Sequence, residues 1–141
     1  MKRLKFAGGL AAFVLAAGVP AAAFAGAGDA IGTWKDMETG GTTQVYNCGQ
    51  GICAKIVAAP KGKELDAKNP NAALQRRPLA GVVIMSSAVQ DGANRWKGKL
   101  YNPEDGETYS GSLEVRSKDE LKLQGCVLGF LCKSHTWRRT Q

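Results

Sequence analysis

Four cysteines, one histidine and a few carboxylates are the side chains of this 141-residue sequence best suited to bond formation, metal binding or proton transfer. Cys48, Cys53, Cys126 and Cys132 form an even set, and in a small exported domain an even set points to disulfides. Three pairings are open. The local one, Cys48–Cys53 with Cys126–Cys132, is favoured. Gly49-Gln50-Gly51-Ile52 reads as a tight hairpin after a strand-like run, which sets two Cβ atoms facing each other at the ~4 Å a disulfide needs. Val127-Leu128-Gly129-Phe130-Leu131 is a second turn, bracketed by the other pair. A zinc site is the first alternative, but structural zinc takes ligand pairs about two to four residues apart, and these spacings are looser. Redox chemistry is the second, and no Cys-x-x-Cys opens a helix. Neither a metal nor a cofactor is expected.

The one histidine, His135, shares the alternation phase of Trp137 and has no carboxylate motif beside it. By itself it makes no triad, and it reads as a buried or half-buried barrel residue. Asp66 lies in a long irregular segment, while Glu104 and Asp105 lie in Asn102-Pro103-Glu104-Asp105-Gly106. Asn-Pro followed by Asp-Gly is what a β-turn requires, and Asp66 with Asn69-Pro70 reads as loop-ordering hydrogen bonding. Were Asp66, Asn69 and Arg77 to meet Tyr101 or Tyr109 at one barrel mouth, they would form a polar recognition site. The sequence has no phosphate-cradling glycine loop, no Gly-x-Ser-x-Gly turn and no zinc-protease helix. An enzyme is therefore not expected. A hydrolase or isomerase using Asp66 is the third-ranked reading.

The elements that would position these groups are strands. Short runs broken by Gly, Asn, Pro and Asp predict strands at Ile31–Asp36, Thr42–Cys48, Ile52–Ala58, Ala80–Val89, Arg95–Tyr101, Thr108–Arg116, Glu120–Cys126 and Cys132–Arg139. Trp96, Gly98 and Leu100 alternate with Arg95, Lys97 and Lys99. Tyr109, Gly111, Leu113 and Val115 alternate with polar neighbours, as do Leu121, Leu123 and Gly125. This period of two marks sheets with one wet and one buried face. The segment Ala59–Pro78 is the longest irregular one, with at most a helical turn at Asn71–Gln75. The fold expected is all-β: a single antiparallel up-and-down barrel of about eight strands, closed so that no edge is left exposed.

Ahead of this domain, Met1-Lys2-Arg3-Leu4-Lys5 is followed by an uncharged Ala-, Gly-, Leu- and Val-rich stretch ending in Ala23-Phe24-Ala25. A charged start, an apolar run and a small-x-small site read as a cleaved secretory signal peptide, residues 1–25. Residues 26–141 remain as one domain, periplasmic or secreted, with no integral membrane segment after cleavage. Its formal charge falls from +7 to +4 with the loss of Lys2, Arg3 and Lys5. Arg76-Arg77 and Arg138-Arg139 are too short and too far apart to mark a nucleic-acid surface.

Ordered motifs run through nearly the whole domain: Gly32-Thr33-Trp34; Cys48-Gly49-x-x-x-Cys53-x-x-Ile56-Val57; Asp66-x-x-Asn69-Pro70; Arg77-Pro78-Leu79-x-Gly81; Trp96-x-Gly98-x-x-Tyr101-Asn102-Pro103-Glu104-Asp105-Gly106-x-Thr108-Tyr109; Leu121-x-Leu123-x-Gly125-Cys126; and Trp137-x-Arg139. In this order they resemble the exported bacterial family called domain of unknown function 2147, with Lys99 standing where the familiar form places a second glycine. The resemblance implies a lipocalin-like barrel in which Trp34 near the floor is covered by Arg139 (or Arg138), a structural cation–π pair. The function expected is binding of a small apolar or amphipathic ligand at the open end, near Trp96, Tyr101 and Tyr109. The alternative is a structural or protein-interaction module of the cell envelope with a filled interior, meeting an envelope protein. Ala54, Gly98, Gly111 and Gly125 would leave room for a cavity; Trp34, Trp137, Leu113, Leu121 and Leu123 would fill one.

Overall fold

In the computed structural model, which describes Gly18 and residues 25–140, eight strands follow one another around a closed antiparallel barrel. They are β1 (Gly32–Asp36), β2 (Thr42–Cys48), β3 (Gly51–Ala58), β4 (Val83–Gln90), β5 (Arg95–Asn102), β6 (Glu107–Ser117), β7 (Glu120–Val127) and β8 (Leu131–Arg139). Apart from Gly18 and Ala25, the expected signal peptide lies outside the described residues. Each strand pairs with its neighbour in sequence, and β8 returns to β1 with Trp34 opposite Arg139 and Asp36 opposite Trp137. Closure pairs both edges of the sheet.

The period-two pattern sorts the side chains. Trp34, Val45, Ala54, Met85, Leu113, Val115, Leu121 and Trp137 point inward and are almost wholly buried. Lys97 and Lys99 on β5 face Ser112 and Ser110 on β6, and Glu114 faces Lys122 on β7, on the outer surface. A charged exterior is the reverse of the apolar band that a membrane-spanning barrel presents. Among the described residues no helix is long and apolar enough to cross a membrane.

The fourth strand differs from its expectation. It begins at Val83 rather than Ala80, because Leu79–Val82 closes a turn first: the Val82 N–H donates to the Leu79 carbonyl and Gly81, at φ +95°, donates to that of Ile56. Further along, Ser87 takes φ +51° and the register against β5 shifts between Ser86 and Val89, a bulge. The long connection from β3 to β4 holds one short 3-10 turn at Ala72–Leu74 and an isolated bridge from Leu65 to Pro78.

Two disulfides close the short hairpins, Cys48–Cys53 with Cα atoms 5.7 Å apart and Cys126–Cys132 at 4.1 Å. Each closes a loop of only a few residues, so the chain-entropy model assigns about 2 kcal/mol to each. Replacing Cys48 and Cys53 together by serine should lower stability by about that amount, read from urea unfolding, and leave the fold intact. Loss of folding would mean that the bridge is needed to form the hairpin rather than to pin it.

Candidate functional site

The barrel is filled at one end and open at the other. At the filled end Trp34 donates from Nε1 to the Ala30 carbonyl at 2.9 Å. The Arg139 guanidinium lies 4.1 Å from the centre of its ring. Arg139 also donates to the carbonyls of Ile31, Asp29 and Lys118, fastening both chain ends of the barrel to one fork. Arg138 points elsewhere, to Glu120 at 3.1 Å.

Above this floor lies a cavity of about 910 Å³, walled largely by apolar side chains, among them Ile56, Ile84, Leu100, Leu123 and Trp137. Its mouth is bounded by the β3–β4 connection (Pro60, Lys63, Leu65, Lys68), by the β5–β6 turn (Pro103–Asp105) and by the β7–β8 hairpin (Val127, Leu131, Lys133). Of the four small residues expected to leave room, only Gly125 borders this space. A Cβ on Gly111 would stand 2.6 Å from that of Leu100, and one on Gly98 3.1 Å from Ala88 Cα, so their room is already taken. Leu113 and Leu121 fill the lower half, while Leu123 and Trp137 form cavity wall.

Asp66, Asn69, Arg77 and Tyr101 do meet. Asp66 is fully buried and receives hydrogen bonds from Tyr101 Oη at 2.5 Å, Asn69 Nδ2 at 2.8 Å and Arg77 Nε at 2.8 Å, with Arg77 Nη2 also 2.8 Å away. Burial alone would raise the Asp66 carboxyl, but these donors and the Arg77 charge outweigh it and hold it below the ordinary carboxylate value. Burial, with the Asp66 carboxylate beside it, pushes the Tyr101 hydroxyl up to about 12. Of the four, only Tyr101 reaches the cavity wall. The donors occupy the Asp66 carboxylate and clamp the long connection onto β5, and Asp66, Asn69 and Arg77 do not line the cavity.

Tyr109 stands apart from this clamp, on the cavity wall, bonded through its hydroxyl to Asp105. That bond chiefly, with some burial and the charges of Asp105 and Glu107, raises its hydroxyl. Trp96 requires a correction. It is not at the open end: it pairs with Leu113 and donates from Nε1 to the Ala27 carbonyl at 2.8 Å, beside the floor. Its side chain packs against the core, but β5 runs from the closed end at Trp96 to the mouth at Asn102.

The sequence reading missed the polar group inside the cavity. His135 Nδ1 lies 2.8 Å from Asp36 Oδ2, across 99 residues of sequence. Trp137 Nε1 donates to the same oxygen at 3.1 Å, and the backbone N–H groups of Glu38 and Thr39 donate to Oδ1. Burial would raise Asp36, yet His135 and the two backbone donors bring it below the ordinary value. The signal was available: Asp36 shares the inward phase of Trp34, and barrel closure sets β1 against β8. Glu38 comes near enough that Asp36, Glu38 and His135 hold ligating atoms within 4.8 Å of one another. Their carboxylates are already engaged, Glu38 by the Thr136 N–H and Asp36 by four donors, so the donor set favours a hydrogen-bond cluster over a cation site.

Likeness to known proteins agrees with this architecture. The Helicobacter pylori protein HP1028, described as belonging to the lipocalin family, superposes with a TM-score of 0.70 at 26% identity, over 79% of this chain and 83% of its own. No curated protein matches. The family model described as "Uncharacterized protein conserved in bacteria (DUF2147)" matches residues 32–139, from the first barrel strand to the last, and the chain belongs to that family.

Proposed function

We propose that this protein is an exported, non-enzymatic binding barrel that holds one small apolar or amphipathic molecule in the cavity at its open end. The observation that carries the reading is the cavity itself: about 910 Å³, largely apolar, with a few convergent polar groups, which matches the size and character of small-molecule sites. Lipocalin-like architecture supports it. Two disulfides support an oxidising compartment, the periplasm or the exterior. Against catalysis stands Asp66, which is sealed by its own donors and sits off the cavity wall.

The test is a titration of residues 26–141 with the apolar fluorophore N-phenyl-1-naphthylamine. Saturable one-to-one binding is expected. A Cβ on Gly125 would meet its nearest atoms, Leu100 Cδ2 and Tyr109 Cβ, at an ordinary 3.5 Å, so Gly125→Phe should fold and project its ring into the space. Its affinity should fall by about tenfold or more, with a melting temperature within a few degrees of the parent. No saturable binding to the parent protein would overturn the reading.

A second reading, an interaction module of the envelope, is favoured by one feature. Leu128 and Phe130 at the β7–β8 tip are 79% and 72% exposed, and large apolar side chains this exposed and adjacent mark contact sites. A protein that takes up no fluorophore, yet forms a complex dissociated by Phe130→Ser, would favour this role.

A further inference from the structure

The Asp36–His135 pair is the polar feature of the cavity that neither the loop clamp nor the floor uses. Asp36 holds its four donors with both carboxylate oxygens, and an ionised carboxylate only accepts. His135 Nδ1 therefore carries a proton, and Nε2 is the atom left over. Among the described residues Nε2 has no hydrogen-bond partner, no buried side-chain nitrogen or oxygen lacks one, and the imidazole borders the cavity. The free nitrogen thus opens onto the space a ligand would fill. Its depth follows from the strand: Leu131, Lys133, His135 and Trp137 share one face of β8, so His135 lies about 13 Å in from the rim at Leu131.

We infer that His135 Nε2 seats the polar head of the ligand, and that this head is an uncharged hydroxyl on an otherwise apolar molecule. The inference rests on the ligand-binding reading above. A hydroxyl both donates and accepts, so it bonds Nε2 whether or not that nitrogen is protonated. A carboxylate head would stand beside Asp36, and one imidazolium would have to balance two buried anions. A head with no donor would leave the neutral Nε2 dehydrated and unpaired once the cavity filled. Lys133, two residues nearer the rim and 76% exposed, meets solvent rather than this depth.

The test is competition against bound N-phenyl-1-naphthylamine by 1-decanol, methyl nonyl ether and decanoate, on the parent protein and on His135→Phe. The parent should prefer the alcohol to the ether, and to decanoate, by about tenfold. His135→Phe, with each competitor read against that variant's own fluorophore affinity, should bind alcohol and ether within about twofold of each other. Equal binding of alcohol and ether by the parent, a preference for decanoate, or an undiminished alcohol preference in His135→Phe overturns the inference while leaving the binding barrel standing. Absence of fluorophore binding by the parent overturns both. Should His135→Phe fail to fold, the alcohol-to-ether ratio of the parent decides alone.

Discussion

Asp66→Ala should be among the most destabilising single substitutions in the chain, costing about 3 kcal/mol and lowering the melting temperature by roughly 10–15 °C. The residue is fully buried, and its removal strips the acceptor from Tyr101, Asn69 and Arg77 at once. Arg77 keeps 36% of its side chain in water and rehydrates, which places the cost at the lower end of that for a broken buried pair. The clamp has a second point of support. A Cβ on Gly106, at φ +78°, would stand 1.9 Å from the Lys68 carbonyl oxygen, so the β5–β6 turn packs directly on the same connection. Losing Asp66 should therefore loosen residues 59–82 while the strands persist, seen as faster amide exchange confined to that segment. Because Leu65 and Lys68 bound the mouth, fluorophore affinity should weaken as well. Stability equal to the parent would mean that the cluster orders the loop without stabilising it.

The same cluster fixes the sign of the pH dependence. Asp66 is held below its unfolded value of about 3.9, so its contribution is complete above that pH and is lost as the pH falls through the lower, folded value. Tyr101 acts at the other extreme. Its folded value of about 12 exceeds the ordinary tyrosine value of about 10, so its contribution is complete below about pH 10 and is lost as the pH rises towards 12. Tyr101→Phe should remove its share of the alkaline loss, leaving that of Tyr109, whose hydroxyl is also raised, and retain most of the acid one.

What the sequence disclosed depended on the range of the interaction that decides each feature. Alternation along Trp96–Leu100, Tyr109–Val115 and Leu121–Gly125 is a local consequence of one wet and one dry face, and it placed those strands within a residue or two. The disulfides were legible because each spans a single turn. Meeting of Asp66, Asn69 and Arg77 was foreseeable from a loop that must satisfy its own polar groups, but whether that cluster faces ligand or seals a loop depends on where β5 places Tyr101. The half-filled interior was beyond composition. Gly98, Gly111 and Gly125 are identical residues on one phase, and only the packing of Leu100, Met85 and Ala88 around the first two separates them from the third. The Asp36–His135 pair depends on the closing seam, where residues nearly a hundred positions apart become neighbours.

The floor gives the other large effect. Trp34→Ala should cost about 3–5 kcal/mol, the usual range for emptying a fully buried aromatic site, and should also free Arg139 from its stack, worth about 0.5–2 kcal/mol. Arg139 holds the carbonyls of Asp29, Ile31 and Lys118 with its planar fork, so Arg139→Lys keeps the charge but loses the geometry and should recover only part of the loss of Arg139→Ala. A double-mutant cycle separates the two roles. Ring and guanidinium lie at 4.1 Å, close enough for a coupling of about 0.5 kcal/mol or more. A cycle that closes with no coupling would assign all of Arg139's contribution to the carbonyls. Ligand binding provides the control. Trp34 and Arg139 are not on the cavity wall, so a folded floor variant should bind N-phenyl-1-naphthylamine like the parent. A floor variant that folds but binds poorly would show instead that the two ends of the barrel are mechanically coupled, with the floor setting the width of the mouth.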